Sequence, residues 1–179
     1  MDEILLHTRY DMLRLHYTAV AQQQSVTSPT DQIHLLHILI SLPSPTSQVP
    51  TDFTDALKKI GDAKAALDSG TDFAEVAKTF SEETTEAANG GDAGWFAHGQ
   101  LDSVTKENEL FALAAGTISR QFSTVGQTEF YKVVEKDPAR ALTDDQKTKI
   151  HDSAYAYWFD KNRRVHDAQK LVPGYEFQS

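Results

Sequence analysis

Two histidines, His34 and His37, lie three residues apart in the apolar run Ile33–Leu42 (IHLLHILISL). The run is short and rich in Ile and Leu, so it reads as a buried strand. Positions three apart on a strand face opposite sides, and one metal ion cannot use both rings. Each histidine acts alone, and by residue type a hydrogen-bonded core place is the ordinary role. Further on, Glu82, Glu83 and Glu86 make an acidic group in a polar stretch. By residue type it reads as a solvated loop. Asn89-Gly90-Gly91-Asp92 lacks the Gly-Lys-Ser/Thr ending of a phosphate loop and reads as a turn. Serine, histidine and aspartate are all present, but no G-x-S-x-G elbow exists, which argues against a hydrolase. The chain has no cysteine. That removes a thiolate nucleophile, a cysteine zinc site and a disulfide framework.

The elements that must position these groups follow from periodicity and turn residues. Ile4 to Gln24 is expected to be a helix, with Ile4, Thr8, Met12, Leu15 and Ala19 on one face. A polar linker, Ser25 to Asp31, leads into the strand. After a proline-containing loop comes a helix from Phe53 to Leu67, with Phe53, Leu57, Ile60 and Leu67 on its apolar side and Gly70 at its end. Asp72 and Glu75 have capping-box spacing and open a helix from Phe73 to Phe80. Gly94 to Ala97 reads as a short strand and Val104 to Leu113 as a helix. Ile118 to Val125 and Thr128 to Val134 are strand-like, with a tight hairpin at Gly126-Gln127. Pro138 to Leu142 reads as a second linker. Thr143 and Gln146 form another capping-box pattern, before a helix with Ile150, Ala154, Trp158 and Val165 on one face, ended by Pro173-Gly174. The order is strand, helices, strand, helix, two strands, an α+β pattern around a mainly antiparallel sheet. Each terminal helix has an apolar face to bury. Met12 and Leu15 are expected against Ile150, Ala154 or Trp158, within one chain or in a homodimer through the terminal helices.

Composition sets the bounds. The 179 residues are 40% hydrophobic and 24% charged, with a formal net charge of -9. This suits a soluble globular chain, either one full domain with appendages or one medium domain plus a small lobe. The acidic balance argues against nucleic-acid binding, which needs a basic face. No apolar stretch is long enough to span a bilayer. The start, Met1-Asp2-Glu3, lacks the regions of a signal peptide.

Several spaced motifs carry a family resemblance. Asp72 to Leu101 reads DFAEVAKTFSEETTEAANGGDAGWFAHGQL, followed by Glu109 to Leu113 (ELFAL) and Gly116-Thr117-Ile118-Ser119. In this order they resemble the F-A-x-x-A-x-x-(Y/F)-S, G-G-D-L-G-W-F, G-Q-M, F-x-L and G-x-I-S elements of the parvulin-type prolyl isomerases. His37-Ile38-Leu39-Ile40 is similar to that family's first H-I-L-V. The resemblance covers residues 33–137 and implies a four-stranded antiparallel sheet with surrounding helices. It also implies catalysis of X–Pro rotation, a barrier of roughly 18–20 kcal/mol set by amide resonance. No bond is made or broken, so no metal or cofactor is implied. The flanks resemble exported bacterial foldases of the SurA and PrsA type, in which helical segments on both sides of the domain form a chaperone lobe. Residues 1–24 and 143–172 are the expected lobe helices. Unfolded or proline-containing polypeptides are the implied partners. Export is the implied setting, with the targeting segment missing from this chain.

Carried over residue by residue, the family's first histidine falls on His37 and the acid that faces it on Glu83. Its second histidine falls on Glu129, with Lys132-Val133 as the anchor. The proline cup falls on Ala93, Leu101, Val104 and Phe111. Glu129 in place of histidine and the small Ala93 and Val104 imply a weaker catalyst. A parvulin-fold holdase that binds unfolded clients and catalyses little is the alternative.

Overall fold

The computed structural model describes residues 15, 18, 19, 28–43 and 50–163. Most of the helix expected over Ile4–Gln24, Met12 included, lies outside them, as does the helix end at Pro173-Gly174. The chain divides into two compact units. One comprises residues 32–96 and 109–137, the other residues 1–31, 97–108 and 138–179.

The element order is β1 (Thr30–Ser41), α1 (Pro50–Asp68), α2 (Phe73–Phe80), α3 (Thr84–Ala88), β2 (Asp92–Ala97), α4 (Val104–Ala112), β3 (Phe122–Thr124), β4 (Gln127–Arg140) and α5 (Asp144–Arg163). The strands form one antiparallel sheet in the order β2-β1-β4-β3, so the His37 strand is central. Alternation along β1 sends Ile38 and Ile40 to one face, where they join Phe130 of β4. Ile60, Ala63 and Leu67 of α1 and Phe73, Val76 and Ala77 of α2 cover that face. Each large apolar side chain buried this way contributes about 1.5–3 kcal/mol. Ile33, Leu35 and His37 alternate to the other face of β1 and are also buried. On α1 the buried stripe starts at Ile60, while Phe53 and Leu57, expected on it, are 45% and 51% exposed.

Asp72 caps α2 by accepting the Ala74 N–H at 3.0 Å. The β3–β4 hairpin pairs Thr124 with Gln127, so the two-residue turn is Val125-Gly126, one residue before the expected Gly126-Gln127. Gly126, the second central residue, has φ +98°, the positive φ that a type II turn needs at that position. Two expectations are corrected. Residues 118–125 are not one strand: Ile118 forms an isolated bridge with Lys132, and pairing resumes only at Phe122. At Ser119 the backbone N–H still donates to the Tyr131 carbonyl at 2.8 Å, but the Tyr131 N–H goes to the Ser119 hydroxyl at 3.1 Å rather than to a backbone carbonyl. Pro138, read as linker, lies inside β4.

In the other unit, the expected capping box opens α5. Thr143 N–H donates to Gln146 Oε1 at 3.0 Å and Gln146 N–H to Thr143 Oγ1 at 3.2 Å. Ile150 packs with Ala97 and Leu142, whereas Leu15, expected against α5, is 69% exposed. Glu107, fully buried, ties this unit together. It accepts from His98 Nδ1, from the Gly99 N–H and from the Tyr157 hydroxyl, each at 2.8 Å. Burial and the Glu107 carboxylate push the Tyr157 phenol's pKa well above its usual value. No described helix is long and apolar enough to cross a membrane.

Candidate active site

His37 stands at the middle of β1, and the segment after α2 is fastened to that strand at two points. At one, Glu82 N–H donates to the Leu39 carbonyl at 2.7 Å and Ser81 Oγ accepts the Leu39 N–H at 3.2 Å. At the other, His37 N–H donates to the Gly91 carbonyl at 2.7 Å. The two anchor points are two residues apart on β1, and the one-turn helix α3 rises between them. Gly90 and Gly91 make the return possible. Both have positive φ, +73° and +85°. A Cβ on Gly90 would lie 2.7 Å from Ala74 Cβ, and one on Gly91 would lie 2.8 Å from the His37 carbonyl oxygen. Only glycine meets both demands, so the G-G-D motif is a device for laying α3 against His37.

The result is a carboxylate on each side of the imidazole. Glu86 of α3 lies 2.8 Å from Nδ1. Glu129 of β4 presents Oε1 to Nε2 at 3.5 Å. That distance is inside ion-pair range but long for a hydrogen bond, and Nε2 is a buried polar atom without a hydrogen-bond partner. Tyr131, two residues along β4, stacks its ring on the imidazole with centroids 4.6 Å apart and planes 14° apart. Its hydroxyl donates to Glu129 Oε1 at 3.0 Å. Phe122 meets Tyr131 edge-on at 6.0 Å. His37, Glu129 and Tyr131 are 8%, 4% and 5% exposed. Burial works against a charged ring, but the negative carboxylates of Glu129 and Glu86 on its two sides outweigh it and hold the His37 pKa above its ordinary 6.5. The magnitudes agree with that sign. At an effective dielectric of about 20, opposite charges roughly 4 Å apart attract by about 4 kcal/mol.

The structure brings His37 and Glu129 together. The acid at Nδ1 is corrected: it is Glu86, three residues beyond the expected Glu83. Glu83 is exposed and caps α3 through its backbone, its carbonyl accepting the Ala87 N–H at 2.8 Å. Ala93 lies half-buried on β2 and Phe111 half-buried on α4. Leu101 and Val104 are half-buried in the other unit, before α4 and at its first residue. Tyr131 was not anticipated. Its signal was the period of two, which puts residue 131 on the face of β4 that carries residue 129.

His34 faces away from this cluster with partners of its own. Its Nε2 bonds Asp92 Oδ1 at 2.8 Å, and its ring stacks on Trp95 at 5.3 Å.

A cluster of this kind can fix the protonation and orientation of one imidazole, and nothing in it is poised as a nucleophile. Residues 18–137 match the family described as the PPIC-type PPIASE domain. The chaperone SurA of Nitrosospira multiformis is 36% identical over 115 residues, covering 64% of this chain and 24% of that protein. The foldase protein PrsA of Geobacillus kaustophilus is 32% identical over 87 residues, covering 49% of this chain and 31% of that protein. The chain therefore spans about a quarter to a third of the length of these curated relatives. The crystal structure of peptidylprolyl isomerase PrsA from Bacillus anthracis aligns at 23% identity over 88% of this chain and 66% of that one, with a TM-score of 0.49.

Proposed function

Because the chain belongs to the PPIC-type peptidyl-prolyl isomerase domain family, we propose that it accelerates rotation about X–Pro bonds in unfolded client polypeptides. The observation that supports this most directly is the imidazole of His37 held on β1 between Glu86 and Glu129. Rotation needs the planar amide to lose its resonance, so a catalyst must favour the twisted state over the planar one. A rigid, buried polar cluster beside an apolar surface suits that task, since fixed groups meet the amide without reorganising. His37 is the central group of the polar edge, with Glu86 and Glu129 fixing its charge and orientation. On the sequence match, Ala93 and Phe111 contribute apolar surface for the proline ring within the same unit.

The relatives named chaperone and foldase extend the reading to the full-length protein: a foldase working on exported clients. Self-association through the terminal helices falls largely on residues outside those described.

The test is a coupled assay of cis-to-trans relaxation on a panel of X–Pro peptides, run beside suppression of client aggregation. Relaxation above the uncatalysed rate is expected. Suppression of aggregation with no acceleration on any peptide would replace the isomerase reading with that of a client-binding holdase.

A further inference from the structure

Nε2 of His37 is buried, faces a carboxylate, and yet forms no hydrogen bond. The geometry around Glu129 explains this. Its Oε1 is shared unequally: the Tyr131 hydroxyl holds it at 3.0 Å, while Nε2 stands off at 3.5 Å. The same tyrosine lies flat on the imidazole, so ring and carboxylate are both located by one side chain. We propose that Tyr131 is a positioning residue of the site, acting on His37 through Glu129. Its hydroxyl occupies the carboxylate oxygen that faces Nε2 and keeps carboxylate and imidazole apart. The groups facing His37 are then Glu86 from α3 and Glu129 and Tyr131 from β4, with the Gly91 carbonyl on its backbone N–H. Glu86 keeps a full hydrogen bond on Nδ1, and the Tyr131–Glu129 pair sets how much charge reaches Nε2.

The consequence has a definite sign. Without the hydroxyl, Oε1 loses a donor and becomes a stronger acceptor, and Nε2 is the donor facing it. Carboxylate and ring close up, and the charged imidazole is favoured. The proposal rests on the site assignment above, but its test needs no turnover. The titration of the His37 ring is followed by NMR in the unsubstituted protein, in Tyr131→Phe, in Glu129→Gln and in the double variant. Phenylalanine keeps the stacked ring and removes only the hydroxyl. Tyr131→Phe is expected to raise the His37 midpoint by about half a pH unit or more, roughly a threefold change in the protonation equilibrium. In the Glu129→Gln background the same change is expected to move it little, because the carboxylate that transmits it is gone.

An unchanged midpoint in Tyr131→Phe, or an equal shift in both backgrounds, overturns the proposal. A tyrosine that merely fills space would give one of those results. If a variant does not fold, the ring nitrogens of the unsubstituted protein decide. The expected 15N signature is a hydrogen-bonded Nδ1 and a non-bonded Nε2, and a strongly hydrogen-bonded Nε2 refutes the inference. An inactive protein that passes these tests would count against the isomerase reading and leave the role of Tyr131 standing.

Discussion

Replacing Gly91 by alanine adds one methyl group at the point where the turn after α3 returns to β1. The added Cβ would lie 2.8 Å from the carbonyl oxygen of His37 and 3.0 Å from Ala77 Cβ. The first neighbour is backbone of a central strand, so it cannot swing aside as a long side chain could. Two costs combine. An L-residue at φ +85° costs roughly 1–2 kcal/mol in the left-handed region, and overpacking a close contact costs typically 1–3 kcal/mol. The expected loss is therefore about 2–5 kcal/mol. Gly126 provides the control, since it has φ +98° and nothing within 4 Å of its added Cβ. Gly126→Ala bears only the conformational cost. Urea unfolding of the three proteins separates the two contributions. Gly91→Ala is expected to lose about 1–3 kcal/mol more than Gly126→Ala, and the NMR signals of the His37 ring should move. Equal losses for the two variants would refute the claim that the Gly-Gly turn is shaped by close approach to His37.

Two further predictions follow from the charged groups. The His37 pKa is raised in the folded state, so the ring's contribution to stability is fully present below its unfolded value of about 6.5 and is lost as pH rises through the folded value. The stability difference between the unsubstituted protein and His37→Gln should shrink as pH rises above about 6.5, and a difference that grew with pH would contradict the assignment. In the other unit, Glu107→Ala removes the acceptor of the Gly99 N–H and the Tyr157 hydroxyl. The Gly99 N–H is buried, and a buried donor left unpaired costs about 1–3 kcal/mol, so a marked drop in the guanidinium midpoint is expected, and a shift under about 0.5 kcal/mol, the range of ordinary surface substitutions, would count against that role.

Much of the fold was legible because its signals are local. The short, Ile- and Leu-rich apolar run around His37 reads as a strand and is one, and Thr143 and Gln146 formed the reciprocal bonds that their spacing implied. The hairpin at Gly126 followed from one glycine at a position that needs positive φ. What failed depended on contacts between distant residues. In the strand expected from Ile118, a serine hydroxyl takes the Tyr131 N–H, and no hydrophobic pattern records that exchange. Pro138 looked like linker because the apolar alternation has ended there, yet backbone pairing continues without it. Glu83 and Glu86 are the same residue type three positions apart, and the hydrogen bonds that fasten this segment to β1 at Leu39, Ser41 and His37 set which one meets the ring. The glutamate at residue 129, where the family resemblance puts a histidine, was visible in the sequence. That the glutamate would come with a tyrosine bonded to it and stacked on His37 was not.

The central claim is that the His37 cluster is the polar edge of an isomerase site, and one measurement tests it most directly. The rate of cis-to-trans relaxation of an X–Pro peptide is compared for the unsubstituted protein, His37→Ala and Glu86→Gln, with folding of each variant verified by its unfolding midpoint. Removing a positioned polar group from such a site costs about 10²–10³-fold when the group contacts the reacting atoms and less when it acts through a neighbour. His37→Ala should therefore bring relaxation close to the uncatalysed rate, and Glu86→Gln should retain an intermediate rate. If the unsubstituted protein is active and His37→Ala relaxes the peptide equally fast, the site lies elsewhere in the molecule.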